Sequence, residues 1–266
     1  VGGVGFLYGE PVVVIGQQRR APLEGQRYHV CPDGLRKAQR LIALAGRFKL
    51  PLVTLIDTQG ADPSLEAEEQ GIGNAIANTL SLMVEAPVPI VSVIIGEGGS
   101  EGALALGMSD RILMQQYAIY SPISLNRNLG GPFPDRMFDR EAAEALMLTV
   151  QDCLELGIVD QAVPEPEGGS HTNPREAASV MQLAVVKQLA ELSKLSPGKL
   201  LKRRYQKFRR MGEGSAFSQE AMNLEVELLI NIAAHGQRQG RAVRAQKVKV
   251  PESESAETLS VAVEET

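Results

Sequence analysis

Five glycines fall within the twelve residues GEGGSEGALALG, 96–107, directly after the apolar run PIVSVII. Bare backbone at a strand end, running into small helix formers, has two physical readings. One is close packing of a helix on a sheet. The other is that backbone N–H groups must approach a negative atom. Gly98, Gly99 and Gly102 would expose such donors at a helix N-terminus, where unpaired N–H groups and the helix dipole favour anions. A second turn, IDTQGADP at 56–63, also follows an apolar run, and Gly60 there lets an N–H point inward with no Cβ in the way. Ligands of parallel sheets sit beyond the carboxyl ends of the strands. Two such turns on consecutive strands could therefore face one crevice and form an oxyanion hole. One donor of that kind is worth roughly 3–4 kcal/mol in a transition state. Spacing alone leaves the packing and the catalytic readings both open.

Side chains that usually do chemistry are sparse. The histidines are His29, His171 and His235, each in a polar loop, a turn or beside a helix end, where surface and capping roles are commonest. Ser100 is not read as a hydrolase nucleophile. Glu66, Glu68 and Glu69 gather at a helix start, where acids suit the dipole. Cys31 and Cys153 are far apart, and no CxxC or Cys/His cluster signals a zinc site or a disulfide framework, so no metal is expected. No phosphate loop ending in GK[ST] follows a strand, and the glycines do not make GxGxxG with an acidic residue downstream. Chemistry, if present, would rest on backbone donors. An enolate needs just these for the charge on a thioester oxygen.

The elements that must position the turns follow from periodicity. PVVVIG (11–16), LVTLID (52–57) and PIVSVII read as buried strands. Gln17 to Cys31 reads as a loop carrying Arg19, Arg20 and Arg27. A helix is expected from Pro32 to the residues before Pro51, with Leu35, Leu41, Ile42 and Ala45 at helical spacing. Glu66–Glu85 reads as one long helix with Ile72, Ile76, Leu80 and Met83 on a face. GALALGMS starts another, ILMQQYAIYSPIS supplies one or two short strands, and LNRNLGGPFPD (125–135) is a loop. From Arg140 the pattern is mostly helical: 140–157, a short apolar run IVDQAV, 176–195, then the basic PGKLLKRRYQKFRRMG and 218–236. The alternation makes the class α/β with parallel pairing. The last residues, 251–266, are acidic and poor in bulky apolar groups, and are expected to form a disordered tail.

Composition bounds the function. The chain has 266 residues, 44% of them hydrophobic, enough to bury a sizeable core as one large domain or at most two small ones. A formal net charge of −5 and 4% aromatics argue against nucleic-acid binding. No apolar run is long enough for a membrane span. Two free thiols suit a reducing cytoplasm.

PDGLRKAQRLIALAGRFKLPLVTLIDTQGADPSLEAEEQGIGNAIANTL, VPIVSVIIGEGGSEGALALGMSDRILMQQYAIYSPIS, IVDQAVPEPEGGSHTNP and LLKRRYQKFRRMG, in this order, resemble the α subunit of bacterial acetyl-CoA carboxylase carboxyltransferase. The resemblance implies a crotonase-like (ClpP/crotonase) fold of stacked strand-strand-helix units over 1–250, with a helical part from about 140. It implies partnership with a β subunit of the same fold, in an α2β2 assembly, and with a biotin carboxyl carrier protein and biotin carboxylase. Carboxybiotin would be the cofactor and an acyl-CoA the substrate, the carboxyl group passing to acetyl-CoA to give malonyl-CoA. The implied catalytic set is Gly102, Ala103, Glu101, Gly60 and Ala61. Gly98, Gly99, Ser100 and Gln59 would hold the biotin.

Three departures fall near the implied chemistry. The family's DTPGAYP is here DTQGADP, with Gln59 and Asp62. Its GGSGGA is GGSEGA, so Glu101 replaces a glycine. A PEG-containing segment is replaced by LNRNLGGPFPD. A carboxylate beside an oxyanion site opposes the charge being stabilised unless it points away or is paired. Two further readings therefore stand beside the transferase: a non-catalytic structural subunit, and a biotin-independent crotonase-like acyl-CoA enzyme. The cations Lys199, Lys202, Arg203, Arg204, Lys207, Arg209 and Arg210 are expected either to form a solvated helix face or to meet CoA phosphates or an acidic partner.

Overall fold

The computed structural model describes residues 1–18, 29–123 and 146–212. The chain begins with an antiparallel hairpin, β1 (Gly2–Leu7) and β2 (Glu10–Gly16). Tyr8 and Gly9, both at positive φ (50° and 83°), form its two-residue turn, a backbone that matches the right-handed strand twist. Three glycines in β1 hide it from a propensity reading, since glycine is depleted in strands.

β2 is followed by α1 (Pro32–Phe48), β3 (Leu52–Thr58), α2 (Leu65–Glu69), α3 (Ile72–Glu85), β4 (Ile90–Gly99) and α4 (Ser100–Gly107). The expected single helix over 66–85 is two helices. Gly71, left-handed at φ 75°, breaks it, a conformation that glycine adopts without a Cβ penalty. Next come β5 (Arg111–Gln115), β6 (Ile119–Ser121), α5 (Val150–Glu155), β7 (Gln161–Val163), α6 (Pro174–Leu192) and α7 (Pro197–Arg210). The loop at 125–135, Arg19, Arg20 and Arg27, residues 140–145, the helix at 218–236 and the tail at 251–266 lie outside the described residues; of the helical stretch expected over 140–157, the described part is helical only over α5.

The strands run in the order β1-β2-β3-β4-β5-β7, parallel from β2 onward. β4 is long enough to have two successive partners on the side away from β3. Its first half pairs with β5, and Glu97–Gly99 pair with β6. Helices cover both faces. Ala38, Ile42 and Ala45 of α1, Met83 of α3 and Leu106 of α4 pack on Val13, Ile56, Ile90 and Ile94. Val185, Leu189 and Leu192 of α6 cover Val53, Val91, Val93 and Leu113. Burial on both faces is why β3 and β4 read as continuous apolar runs rather than alternating ones.

The basic helix α7 departs from both expectations at two residues. Arg204 is 1% exposed. Its guanidinium donates to Asp110 from Nε (3.0 Å) and Nη2 (2.7 Å), and to the carbonyls of Met83, Ala86 and Val88 at 2.7–2.9 Å. It therefore satisfies the last carbonyls of α3, which a helix leaves unpaired. Asp110 also accepts the Ile90 N–H at 2.8 Å, so its charge is fully used. Lys207 pairs with Asp160; burial draws its ammonium below the usual lysine range, and Asp160 opposes that shift. The helix is amphipathic in charge as well as in apolarity: one cation locks the fold, while Lys199, Lys202, Arg203, Arg209 and Arg210 stay exposed.

Removing one partner of a buried pair strands the other charge. Arg204→Met is expected to cost roughly 3–5 kcal/mol of stability, read as a lower urea midpoint with an unchanged slope; an unchanged midpoint would contradict the role given to Arg204.

Candidate active site

The two glycine turns meet. A Cβ on Gly102 would lie 2.5 Å from the Gly60 carbonyl carbon and 2.8 Å from the Ala61 nitrogen. A Cβ on Gly99 would collide with the carbonyl of Gln59. A Cβ on Gly98 would come within 2.8 Å of the Tyr120 ring, and one on Gly96 within 2.6 Å of the Asp57 carboxylate. The packing reading therefore explains four of the glycines between 96 and 107. Their lack of side chains brings the β4–α4 turn into backbone contact with the β3–α2 turn. Tyr120 only packs here: burial raises its phenol to about 12, so it stays neutral.

The β3 side is held by local hydrogen bonds. Gly60 has φ 142°, a conformation that L side chains rarely adopt. Its N–H donates to the buried Thr58 hydroxyl (3.1 Å), and that hydroxyl also approaches the Gly60 carbonyl (3.0 Å). Val30, just before α1, donates to the Gly60 carbonyl at 2.9 Å and accepts from Asp62 N–H at 3.0 Å. These bonds turn the neighbouring peptide the other way. Among the described residues the Ala61 N–H has no acceptor, and it lies against Gly102.

On the α4 side, a helix that begins at Ser100 uses the Gly99 carbonyl as its first acceptor. The N–H groups of Ser100, Glu101 and Gly102 are then the ones the helix ladder leaves over, and that of Ala103 closes the first turn. Gly102 and Ala103 are buried, and Glu101 is exposed. Gly98, Ser100 and Gly102 satisfy G-x-S-x-G spacing, and Ser100 has the positive φ (50°) of a sharp strand-to-helix elbow. The hydroxyl, however, donates to the Glu101 carboxylate, and among the described residues no histidine hydrogen-bonds to it. The non-glycine residue at positive φ stores strain at the junction between the turns.

The sheet is irregular at the same place. β3 and β4 pair in step to Ile56↔Ile94 and next meet at Thr58↔Gly98, so Asp57 faces three residues of β4. The Asp57 carboxylate fills the gap by accepting the Glu97 N–H at 3.0 Å. Irregularities of this kind gather beside active sites because they re-aim the backbone. The structure thus brings together Gln59, Gly60, Ala61, Gly98, Gly99, Ser100, Glu101, Gly102 and Ala103. Sequence reasoning passed over Thr58, Asp57 and Gln17, which brace them. Their partners are up to 85 residues away, and no local pattern marks them. Among the described residues no cluster of His, Cys, Asp and Glu could hold a metal ion, and no helix is long and apolar enough to cross a membrane.

Residues 1–212 match the family described as acetyl co-enzyme A carboxylase carboxyltransferase-like. The chain belongs to that family. The acetyl-coenzyme A carboxylase carboxyl transferase subunit alpha of Gluconacetobacter diazotrophicus is 43% identical over 219 residues, covering 81% of this chain and 69% of that protein. The subunit alpha of Geobacter sulfurreducens is 45% identical over 215 residues, 79% of this chain and 67% of that one. The chain thus spans about two thirds of the length of these relatives. A Salinispora arenicola protein named for subunits beta/alpha is 44% identical over 216 residues, 80% of this chain and 38% of its own length. The fold is shared with a chain of a Pseudomonas malonate decarboxylase hetero-dimer (TM-score 0.62, 16% identity, 86% of this chain and 89% of that one). It is also shared with transcarboxylase 12S (TM-score 0.57, 18% identity, 73% and 36%). The crotonase-like α/β architecture expected from sequence agrees with these folds.

Gly102→Ala drives a Cβ into backbone and is expected to lower stability by roughly 1–3 kcal/mol. Gly73→Ala in α3, where an added Cβ meets nothing within 4 Å, is expected to be neutral or stabilising by up to about 1 kcal/mol. Melting temperatures of the two variants provide the comparison.

Proposed function

We propose that this chain is the α-type subunit of a biotin-dependent acyl-CoA carboxyltransferase. Acting with a β-type subunit, in an α2β2 assembly, it takes part in moving the carboxyl group from carboxybiotin to acetyl-CoA, giving malonyl-CoA. A biotin carboxyl carrier protein delivers the biotin, and a biotin carboxylase recharges it. Family membership over 1–212 carries this reading. The Salinispora arenicola relative, named for both subunits in one chain, supports a β-type partner. The setting proposed is the cytoplasm, with Cys31 and Cys153 as free thiols.

The donor set fits the part that biotin would need held. Biotin supplies a carboxyl group that can leave the ureido nitrogen, with negative charge developing on the ureido oxygen. The Ala61 N–H and the N–H groups at the start of α4, from Glu101 and Gly102, are assigned to that oxygen. They come from two elements whose backbones touch, so they need little reorganisation as charge develops. Gly60 acts through conformation: its own N–H is taken by Thr58, and its φ turns Ala61. Ala103 closes the helix turn behind the donors. Gly98, Gly99, Ser100 and Gln59 form the wall, and the contact between the Ser100 hydroxyl and the Glu101 carboxylate occupies a charge that would otherwise oppose the ureido oxygen.

The reverse reaction tests the proposal. Malonyl-CoA and free biocytin are expected to release acetyl-CoA only when this chain is mixed with a β-type subunit, and Glu101→Gly is expected to keep or raise the rate. Activity of the isolated chain that collapses in Glu101→Gly would favour a biotin-independent enzyme. A stable complex with no turnover on malonyl-CoA or its longer homologues would make the subunit structural.

A further inference from the structure

Gln17 stands at the end of β2 and reaches across the sheet to both turns. Its backbone N–H continues the pairing with β3, donating to Leu55 O at 3.0 Å. Its side chain goes further. Oε1 accepts the Asp57 N–H at 3.2 Å, and Nε2 donates to the Gly102 carbonyl at 2.8 Å. An N–H can only donate and a carbonyl can only accept, so these two partners fix the orientation of the amide. Among side chains of this length, only glutamine offers a neutral donor and a neutral acceptor at once.

The two groups it joins are informative. Asp57 is the residue of β3 at the irregular step, whose carboxylate already ties down Glu97. Gly102 is the residue of α4 on which a Cβ would collide with the Gly60–Ala61 peptide. The far end of α4 is pinned independently: Thr54 and Ser92 hydroxyls both donate to the Leu106 carbonyl at 2.8 Å. The C-terminal end is thus fixed to β3 and β4. At the other end Gln17 is a side-chain tie, joining Gly102 of the first turn to Asp57 of β3.

We propose that Gln17 is a positioning residue that sets the spacing between the Ala61 donor and the donors at the start of α4. The inference rests on the function proposed above for those donors, and it concerns a residue that touches no substrate. Shifts of about 1 Å in reacting geometry cost on the order of 100-fold in rate, so a strap of this kind acts on kcat rather than on binding.

Gln17→Glu separates the two halves of the strap. The carboxylate keeps an acceptor for Asp57 N–H and loses the donor for the Gly102 carbonyl, setting two oxygens face to face. Gln17→Met keeps the volume and removes both bonds. Both are measured in the assembled complex, with malonyl-CoA and biocytin, beside hydrogen exchange in peptides covering 98–106 and, as a control, 34–46 of α1. The expected result is a 10- to 100-fold lower kcat in both variants, KM within about twofold and faster exchange confined to 98–106. Gln17→Glu should recover activity as pH falls and its carboxyl becomes a donor, which Gln17→Met cannot do. Unchanged exchange in both variants overturns the proposal whatever the activity. Faster exchange with unchanged kcat in an active complex overturns it as well, leaving a purely structural contact. If the wild-type complex is inactive, the proposed function falls, and the exchange pattern alone decides whether Gln17 straps the turn.

Discussion

Everything at this site depends on how closely two pieces of backbone can approach. Gly99 and Gly102 let the start of α4 lie on Gln59–Ala61 with no side chain between. Side chains normally hold a helix clear of neighbouring backbone, and here one end of a helix reaches the peptide groups of a neighbouring turn. That contact constrains the rest. β4 must run past its pairing with β5 to deliver the helix start at the right height, and it pairs with β6 on the way. The sheet must absorb extra residues opposite Asp57. Thr58 must take up the Gly60 N–H so that the next peptide faces α4.

Glycine is therefore a packing device and an electrostatic one at the same time. The two explanations for a glycine-rich turn are usually set against each other. Here the first is the precondition of the second, because donors on separate elements act together only if their backbones nearly touch. The same closeness explains why a side chain can be accommodated at Glu101 and not at its neighbour. Glu101 is exposed, whereas Gly102 faces the other turn.

Much of this was legible in sequence, and the parts that were not share a cause. β3 and β4 announced themselves as apolar runs because both their faces are covered. α1 was legible through Pro32, its helical spacing and the stop before Pro51. The split between α2 and α3 was hidden because the acids at 66–69 suit a helix start and the apolar spacing of Ile72, Ile76, Leu80 and Met83 continues the helical pattern, while glycine costs only about 1 kcal/mol in a helix and does not mark a boundary by itself. β1 was hidden by its glycines, since its strand character comes from pairing with β2. The brace was invisible because Gln17 and Asp57 are ordinary locally and become informative only beside their distant partners, while Thr58 bonds within its own turn, where a threonine draws no notice. Arg204 misled for the same reason: within a run of cations nothing distinguishes the one that is buried.

The placement of Arg204 also bears on how the chain comes to be made. Asp110 lies between α4 and β5, in the middle of the sheet, yet its counter-charge is supplied 94 residues later. During synthesis every strand of the sheet leaves the ribosome before Arg204 does. Until then the Asp110 carboxylate and the last carbonyls of α3 have only water to satisfy them, so their burial waits on a residue that follows the whole sheet.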